Sequence, residues 1–298
     1  MTDAGSKRWD TRLTDERLAI EDRLGTLLPA ADEQPASLHE AMRHSTLGGG
    51  KRLRGVLCLS GHRLFRGAFP GAALDAACAI EALHAYTLIH DDLPDIDDDD
   101  VRRGRPACHR VYGSAIAILA GDALQAFAFD VLSQSEAPPS NVVAAVRLLS
   151  RAAGSRFLVG GQVADIEGEG AEPSAEKVTF IHSRKTAALI GASLAVGAAL
   201  ADAPERDIAE IEDIGRTAGL AFQIVDDLLD VEGSEEEAGK GLRKDMKKKK
   251  MTYPAQFGVE QSRETARRLI AEAKARIEHL GDEGYIKYLF GLIVERVS

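Results

Sequence analysis

The 298-residue sequence predicts an all-α protein, a single domain built as a large antiparallel helical bundle. Three observations predict it. Aromatic residues make up only 5% of the chain while alanine is abundant, a balance that favours helices over sheets. Apolar positions recur with a period near 3.6 over most of the length, and no repeat of solenoid length appears. The chain is 45% hydrophobic and 28% charged, the composition of a globular protein rather than a disordered one.

Taken in order, residues 1–37 form an N-terminal helical segment. It carries Lys7, Arg8, Asp10, Arg12 and Asp15 with no apolar run behind them, so no signal peptide is expected. The segment from Ala72 to His90 is helical, with Ala77, Glu81, His84, Leu88 and Asp91 on one face. From Val178, the positions Ile181, Lys185, Leu189, Ala192 and Val196 continue one stripe, interrupted by the lysine. Ile208, Ile211, Gly215, Ala218, Phe222, Val225 and Leu229 form another, with Gly219, Gln223, Asp226 and Asp230 running beside it. Breaks fall at Arg66–Gly71, Ala137–Asn141, Gly168–Ser174 and Glu232–Lys250. None is a domain linker. The last, residues 232–250, holds Glu235–Glu237 and Lys247–Lys250 and reads as a charged, mobile lid loop. The longest apolar stretch, Ala187–Ala201, has fifteen residues against the roughly 20 of a membrane span, so it predicts a buried helix and no span.

A formal charge of −10 excludes a general nucleic-acid binder, which needs a basic surface. Cys58, Cys78 and Cys108 are dispersed and odd in number, which fits a reducing, cytoplasmic setting better than a disulfide framework or a zinc site.

The acidic excess is concentrated in two places. Asp91-Asp92-Leu93-Pro94-Asp95-Ile96-Asp97-Asp98-Asp99-Asp100 follows an apolar helix directly. Pro94 disfavours helical geometry at the residue before it, so the helix loosens near Asp92–Leu93 and Asp97 can fold back toward Asp91. In Asp226-Asp227-Leu228-Leu229-Asp230, the carboxylates of Asp226 and Asp230 share a helical face, where like charges are destabilising unless a cation neutralises them. An acidic run is ordinarily a solvated surface face. Two runs that each end an apolar helix point instead to hard cations, Mg²⁺, Mn²⁺ or Ca²⁺. An EF-hand starting at Asp95 fails, because Asp100 stands at its glycine position and Pro106 at its final glutamate. Mg²⁺ is usually held by a few carboxylates plus substrate phosphates, so two facing clusters would grip a diphosphate.

The basic residues complete that pocket. Gly48-Gly49-Gly50-Lys51-Arg52-Leu53-Arg54 places a turn before three cations, an anion cradle or else a helix start on the surface. Arg102 and Arg103 follow the first cluster and either close over the same anion or merely compensate the aspartates. Lys185, with Thr186 beside it, points into a polar cavity or snorkels to solvent. His84, two turns before Asp91, would ordinarily be structural.

These residues resemble the trans-isoprenyl diphosphate synthase family, of the bacterial farnesyl diphosphate synthase type. The resemblance runs from about Leu38 nearly to the end, through GGKRLR (49–54), HAYTLIHDDLPDIDDDDVRRGRP (84–106), ILAGDAL (118–124), GGQVAD (160–165), HSRKTAALI (182–190), GLAFQIVDDLLD (219–230) and KKMTYP (249–254). It implies the all-α isoprenoid-synthase fold around a central cavity and a homodimer. It implies that Asp91, Asp92, Asp97, Asp226, Asp227 and Asp230 bind three Mg²⁺ ions and the allylic diphosphate, with Mn²⁺ as a substitute. It implies further that Arg102, Lys185, Lys240 and Lys250 serve the allylic diphosphate, and that Lys51, Arg54, His84 and Arg103 hold isopentenyl diphosphate. Thr186 and Gln223 match polar groups near the developing carbocation, which with Lys185 makes them the catalytic set. Gly55 and Arg243 depart from the family pattern, which often has proline and glycine there.

The implied mechanism is ionisation of the allylic C–O bond, eased by metal ions and cations on the departing diphosphate. The double bond of isopentenyl diphosphate then attacks, and the proton leaves to the released diphosphate. Tyr86, with Thr87 beside it, stands where an aromatic residue in the family accompanies a farnesyl product. The expected product is therefore farnesyl diphosphate, the alternative a geranylgeranyl or longer-chain diphosphate. From another class, a non-catalytic metal-binding or regulatory subunit would be expected to lack one aspartate cluster.

Overall fold

The structure is a computed structural model that describes residues 3–67, 71–172, 174–232 and 250–295. Along these residues run α1 (Asp3–Leu27), α2 (Ala36–Thr46), α3 (Leu53–Arg66), α4 (Gly71–Asp91), strands β1 (Val101–Arg102) and β2 (Arg105–Pro106), and α5 (Cys108–Tyr112). There follow α6 (Ser114–Ser133), α7 (Pro139–Ala153), α8 (Leu158–Gly168), α9 (Ala175–Lys185), α10 (Ala187–Leu200) and α11 (Glu205–Glu232). Then come α12 (Tyr253–Phe257), α13 (Val259–His279) and α14 (Tyr285–Val294). The described residues thus form an all-α bundle, with one short antiparallel hairpin as the exception.

Helix α10 is the axis. It is apolar on every side, and all its residues are buried, as such a helix must be. Helices α3, α7 and α11 pack around it, while α4 packs on α3 and α6. Both α4 and α6 are long and apolar enough to cross a membrane by length and composition, which the fifteen-residue stretch alone did not suggest. Helix α4 is mostly buried within the bundle, whereas α6 leaves Ile118 and Leu119 exposed.

Two local features depart from the sequence reading. The stripe from Val178 to Val196 is not one helix but two, broken at Thr186 (φ −116°, ψ −52°). Neither proline nor glycine stands at that junction; a tertiary contact does the work. Gly161 of α8 lies against the Lys185 backbone so closely that a Cβ there would sit 2.4 Å from the Lys185 nitrogen. The hairpin is the second departure. Arg103 (φ 55°) and Gly104 (φ 73°) make its two-residue turn, and Arg102 pairs with Arg105.

The three-cation cradle of Lys51, Arg52 and Arg54 also divides. Arg52 turns inward and is 2% exposed, donating to the Thr46 carbonyl at 2.7 Å and lying 3.4 Å from Glu21 and 3.6 Å from Glu81. It ties α1 and α4 to the end of α2. Arg52→Met leaves Glu81 buried without its charge partner and should cost about 3 kcal/mol of stability. A urea midpoint equal to that of the unsubstituted protein would refute this.

Candidate active site

Helix α4 ends at Asp91, and the chain turns back as Pro94 predicts. The Asp97 N–H donates to the Asp91 carbonyl at 2.8 Å, and the Asp99 N–H to the Asp92 carbonyl at 3.2 Å. Asp91 and Asp97 line a crevice of about 280 Å³ together with Asp226 and Asp227 of α11. Two aspartate groups distant in the chain therefore meet across one cavity.

Cations converge on them. Lys185 ends α9 beside the Thr186 break and donates to Asp165 at 2.7 Å. Lys250 donates to Asp97 at 2.7 Å and to Asp165 at 3.3 Å. Burial alone would raise the Asp165 pKa, yet the two ammonium groups hold its carboxyl below the usual range. Lys185 is raised despite its burial, because Asp91 and Asp165 face it. Burial pushes Asp91 upward and lifts Asp92 to about 6. Asp92 and Asp99 are both buried, and both accept from the Arg102 guanidinium.

Asp227 is held from three sides. Its carboxylate accepts from Gln223 Nε2 at 2.9 Å and from the Tyr253 N–H at 2.9 Å, and it lies 3.3 Å from His182 Nε2. Burial drives the His182 pKa down to about 4, so the ring is neutral, and it stacks on Tyr253. The Thr186 hydroxyl donates to Gln223 Oε1 at 2.6 Å, so a single chain runs from Thr186 through Gln223 to Asp227.

On α3 and α4, Arg54 meets His84 Nε2 at 3.1 Å, and both line the crevice. Burial lowers the Arg54 pKa to about 10 and takes His84 well below its ordinary value, with Arg54 adding to the effect. Arg103 Nη1 donates to the Gly49 carbonyl at 2.6 Å and lies over Gly50 (φ +127°), where a Cβ would come within 2.8 Å of its guanidinium carbon. Lys51 is exposed in the segment ahead of α3. The structure places Thr87, not Tyr86, on the crevice lining. Tyr86 precedes Asp91 by five positions, about 140° around a 3.6-residue helix, and its ring packs edge-on against His90.

Residues 35–291 match the sequence profile of the polyprenyl synthetase family. The chain belongs to that family.

Similarity extends over most of this polyprenyl synthetase. It is 47% identical over 249 residues to a chloroplastic geranylgeranyl pyrophosphate synthase of Capsicum annuum, covering 83% of this chain and 67% of the relative. Among solved structures it is similar to an FPP/GFPP synthase from Zymomonas mobilis, with 34% identity, a TM-score of 0.85, and 97% and 99% of the two chains covered. It is similar also to a geranyltransferase from Helicobacter pylori complexed with magnesium and isoprenyl diphosphate, with 28% identity, a TM-score of 0.84 and 96% of each chain covered. This polyprenyl synthetase is thus a trans-prenyltransferase of a Mg²⁺-dependent family.

Its residues fit the metal. Asp230, one turn past Asp226, is 1% exposed, and neither carboxylate oxygen has a hydrogen-bond partner among the described residues. A buried carboxylate left this way needs a cation. Lys240 lies outside the described residues, as do Arg243 and Lys247, Lys248 and Lys249; Lys250 alone of that basic run is described, within the crevice. Asp165 was not singled out as a site residue although it closes the GGQVAD motif. Its signal was available: Leu158, Gly161, Asp165 and Gly168 share the buried stripe of α8, an acid among small apolar positions.

Two outcomes follow. Asp165→Asn leaves Lys185 and Lys250 facing a neutral amide and should cost about 3 kcal/mol in the presence of chelator, seen as a lower thermal midpoint. The second concerns acid. Because the folded His84 pKa lies below 6.5, the unfolded chain binds the extra proton first. The stability from its neutral ring is complete above about pH 6.5 and is lost as pH falls toward the folded value. In metal-free protein, His84→Gln, which retains an acceptor for Arg54, should flatten the fall in melting temperature below about pH 6.5. Identical acid limbs would remove His84 from this role.

Proposed function

We propose that this polyprenyl synthetase joins isopentenyl diphosphate head to tail with allylic diphosphates and carries the chain to geranylgeranyl diphosphate. The observation that carries the reaction is the meeting of Asp91 and Asp97 with Asp226 and Asp227 across one crevice, with Arg54 and His84 at its side. Asp91, Asp92, Asp97, Asp226, Asp227 and Asp230 would hold the Mg²⁺ ions, three being the number the family resemblance implies. Bound Mg²⁺ neutralises the departing diphosphate and so lowers the barrier to breaking the allylic C–O bond.

The rest is the work of side chains. Lys250 now bridges Asp97 and Asp165, in the place where added positive charge is required. From there Lys250 would turn to the allylic diphosphate, joining Lys185 and Arg102. Arg54 on the crevice lining, with Lys51 and Arg103 as the resemblance implies, would hold isopentenyl diphosphate, and neutral His84 fixes the Arg54 guanidinium. The Thr186 hydroxyl and the Gln223 carbonyl oxygen present fixed dipoles to the developing cation, worth more in a water-poor site than in solution. The proton lost after carbon–carbon bond formation goes to the released diphosphate.

Product length is supported by the relative at 47% identity, named for geranylgeranyl pyrophosphate, and by the placement of Thr87 rather than Tyr86 under Asp91. Farnesyl diphosphate is the second reading, favoured by the bulk of Tyr86. The apolar surface of α6 at Ile118 and Leu119 supports a homodimer.

Purified protein given Mg²⁺, isopentenyl diphosphate and dimethylallyl diphosphate should release diphosphate and form geranylgeranyl chains, identified by mass spectrometry of the dephosphorylated products. Farnesyl chains alone would establish the second reading, and Tyr86→Ala would then lengthen them. Inert protein would overturn the assignment. Chelation should stop turnover, and Asp91→Asn or Asp226→Asn should each lower kcat by about two to three orders of magnitude.

A further inference from the structure

Outside the crevice, the same acidic loop presents a second set of donors. Its carboxylates alternate: Asp97 and Asp99 point inward to Lys250 and Arg102, while Asp98 (φ +50°) and Asp100 are exposed on the opposite side. Helix α5 brings His109 under these two. Its side chain is 6% exposed, and neither ring nitrogen has a hydrogen-bond partner among the described residues. One His109 nitrogen and one oxygen from each of Asp98 and Asp100 lie within 4.8 Å of one another. A neutral imidazole carries one donor and one acceptor, so burying it with both unmet is costly unless a ligand takes the acceptor.

We infer that Asp98, Asp100 and His109 form a separate site for a first-row transition-metal dication of the Zn²⁺ class, distinct from the Mg²⁺ crevice. Imidazole beside two carboxylates suits such an ion, whereas Mg²⁺ prefers all-oxygen surroundings. Binding at about 2.0–2.2 Å requires the donors to close to roughly 3–3.5 Å from one another. The exposed side chains of Asp98 and Asp100 can swing that far. One cation competes for them. Arg110 contacts Asp100 and lies 3.9 Å from Asp98, and it is itself half exposed and free to be displaced outward. An ion here would clamp the outward residues of the segment whose inward neighbours are Asp97 and Asp99.

The test titrates full-length protein in excess Mg²⁺ with Zn²⁺ by calorimetry, and with Co²⁺ by its visible absorption. One equivalent of Zn²⁺ should bind the unsubstituted chain and raise its melting temperature. The surface double variant Asp98→Asn/Asp100→Asn, which leaves the core intact, should weaken binding by about a hundredfold or more. His109→Gln should remove the imidazole contribution to the Co²⁺ spectrum. Arg110→Ala should tighten binding, because it removes the competing guanidinium. Asp226→Asn should retain the Zn²⁺ equivalent while losing turnover, which separates this site from the crevice. Absence of a Zn²⁺ equivalent above Mg²⁺, or equal binding by the double variant, overturns the proposal.

Discussion

Everything about this protein is arranged around the cost of keeping carboxylates together out of water. Asp92, Asp99, Asp165, Asp227 and Asp230 are all withdrawn from solvent, and half-buried Asp91 faces Asp226 and Asp227 across a narrow space. Like charges in such surroundings repel strongly, and bulk solvent is not there to screen them. The protein answers with Lys185 facing Asp91 and Asp165, Lys250 between Asp97 and Asp165, and Arg102 between Asp92 and Asp99. Asp230 is left over, a buried carboxyl group without a partner among the described residues. The fold thus stores an unmet demand for positive charge, and that demand is the physical basis of metal dependence.

The elements that meet this demand are placed by the central helix. Because α10 is apolar on all sides, it must be surrounded, and its neighbours bring their own ends to one level. The start of α10 at Thr186, the middle of α8 at Asp165, the end of α4 at Asp91 and the lower part of α11 at Asp226 all line the same crevice. The Thr186 junction matters because it directs two adjacent polar side chains to different tasks. Lys185 goes to Asp165, and Thr186 goes to Gln223.

Much of this was legible in the sequence. Pro94 announced the end of α4 and the return of Asp97, because its constraint is local. The stripe through α11 was readable because burial there follows simple helical period. The Thr186 break was not readable, since the apolar pattern runs on unbroken and the contact that interrupts it comes from α8. Nor could the sequence separate Arg52 from its basic neighbours. Only the left-handed turn at Arg52 (φ 50°) sends that side chain toward Glu21 and Glu81. Tyr86, five positions before Asp91, packs its ring against His90, a contact within α4 that apolar periodicity alone does not specify.

The hairpin that carries Arg102 on its strand and Arg103 in its turn has a further consequence. The left-handed backbone at Arg103 (φ 55°) turns its side chain away from that of Arg102. One arginine therefore reaches the aspartates, and the next reaches the turn at Gly49 and Gly50. The acidic loop and the glycine turn, far apart in the chain, are thereby fastened to two consecutive residues and share a single peptide link.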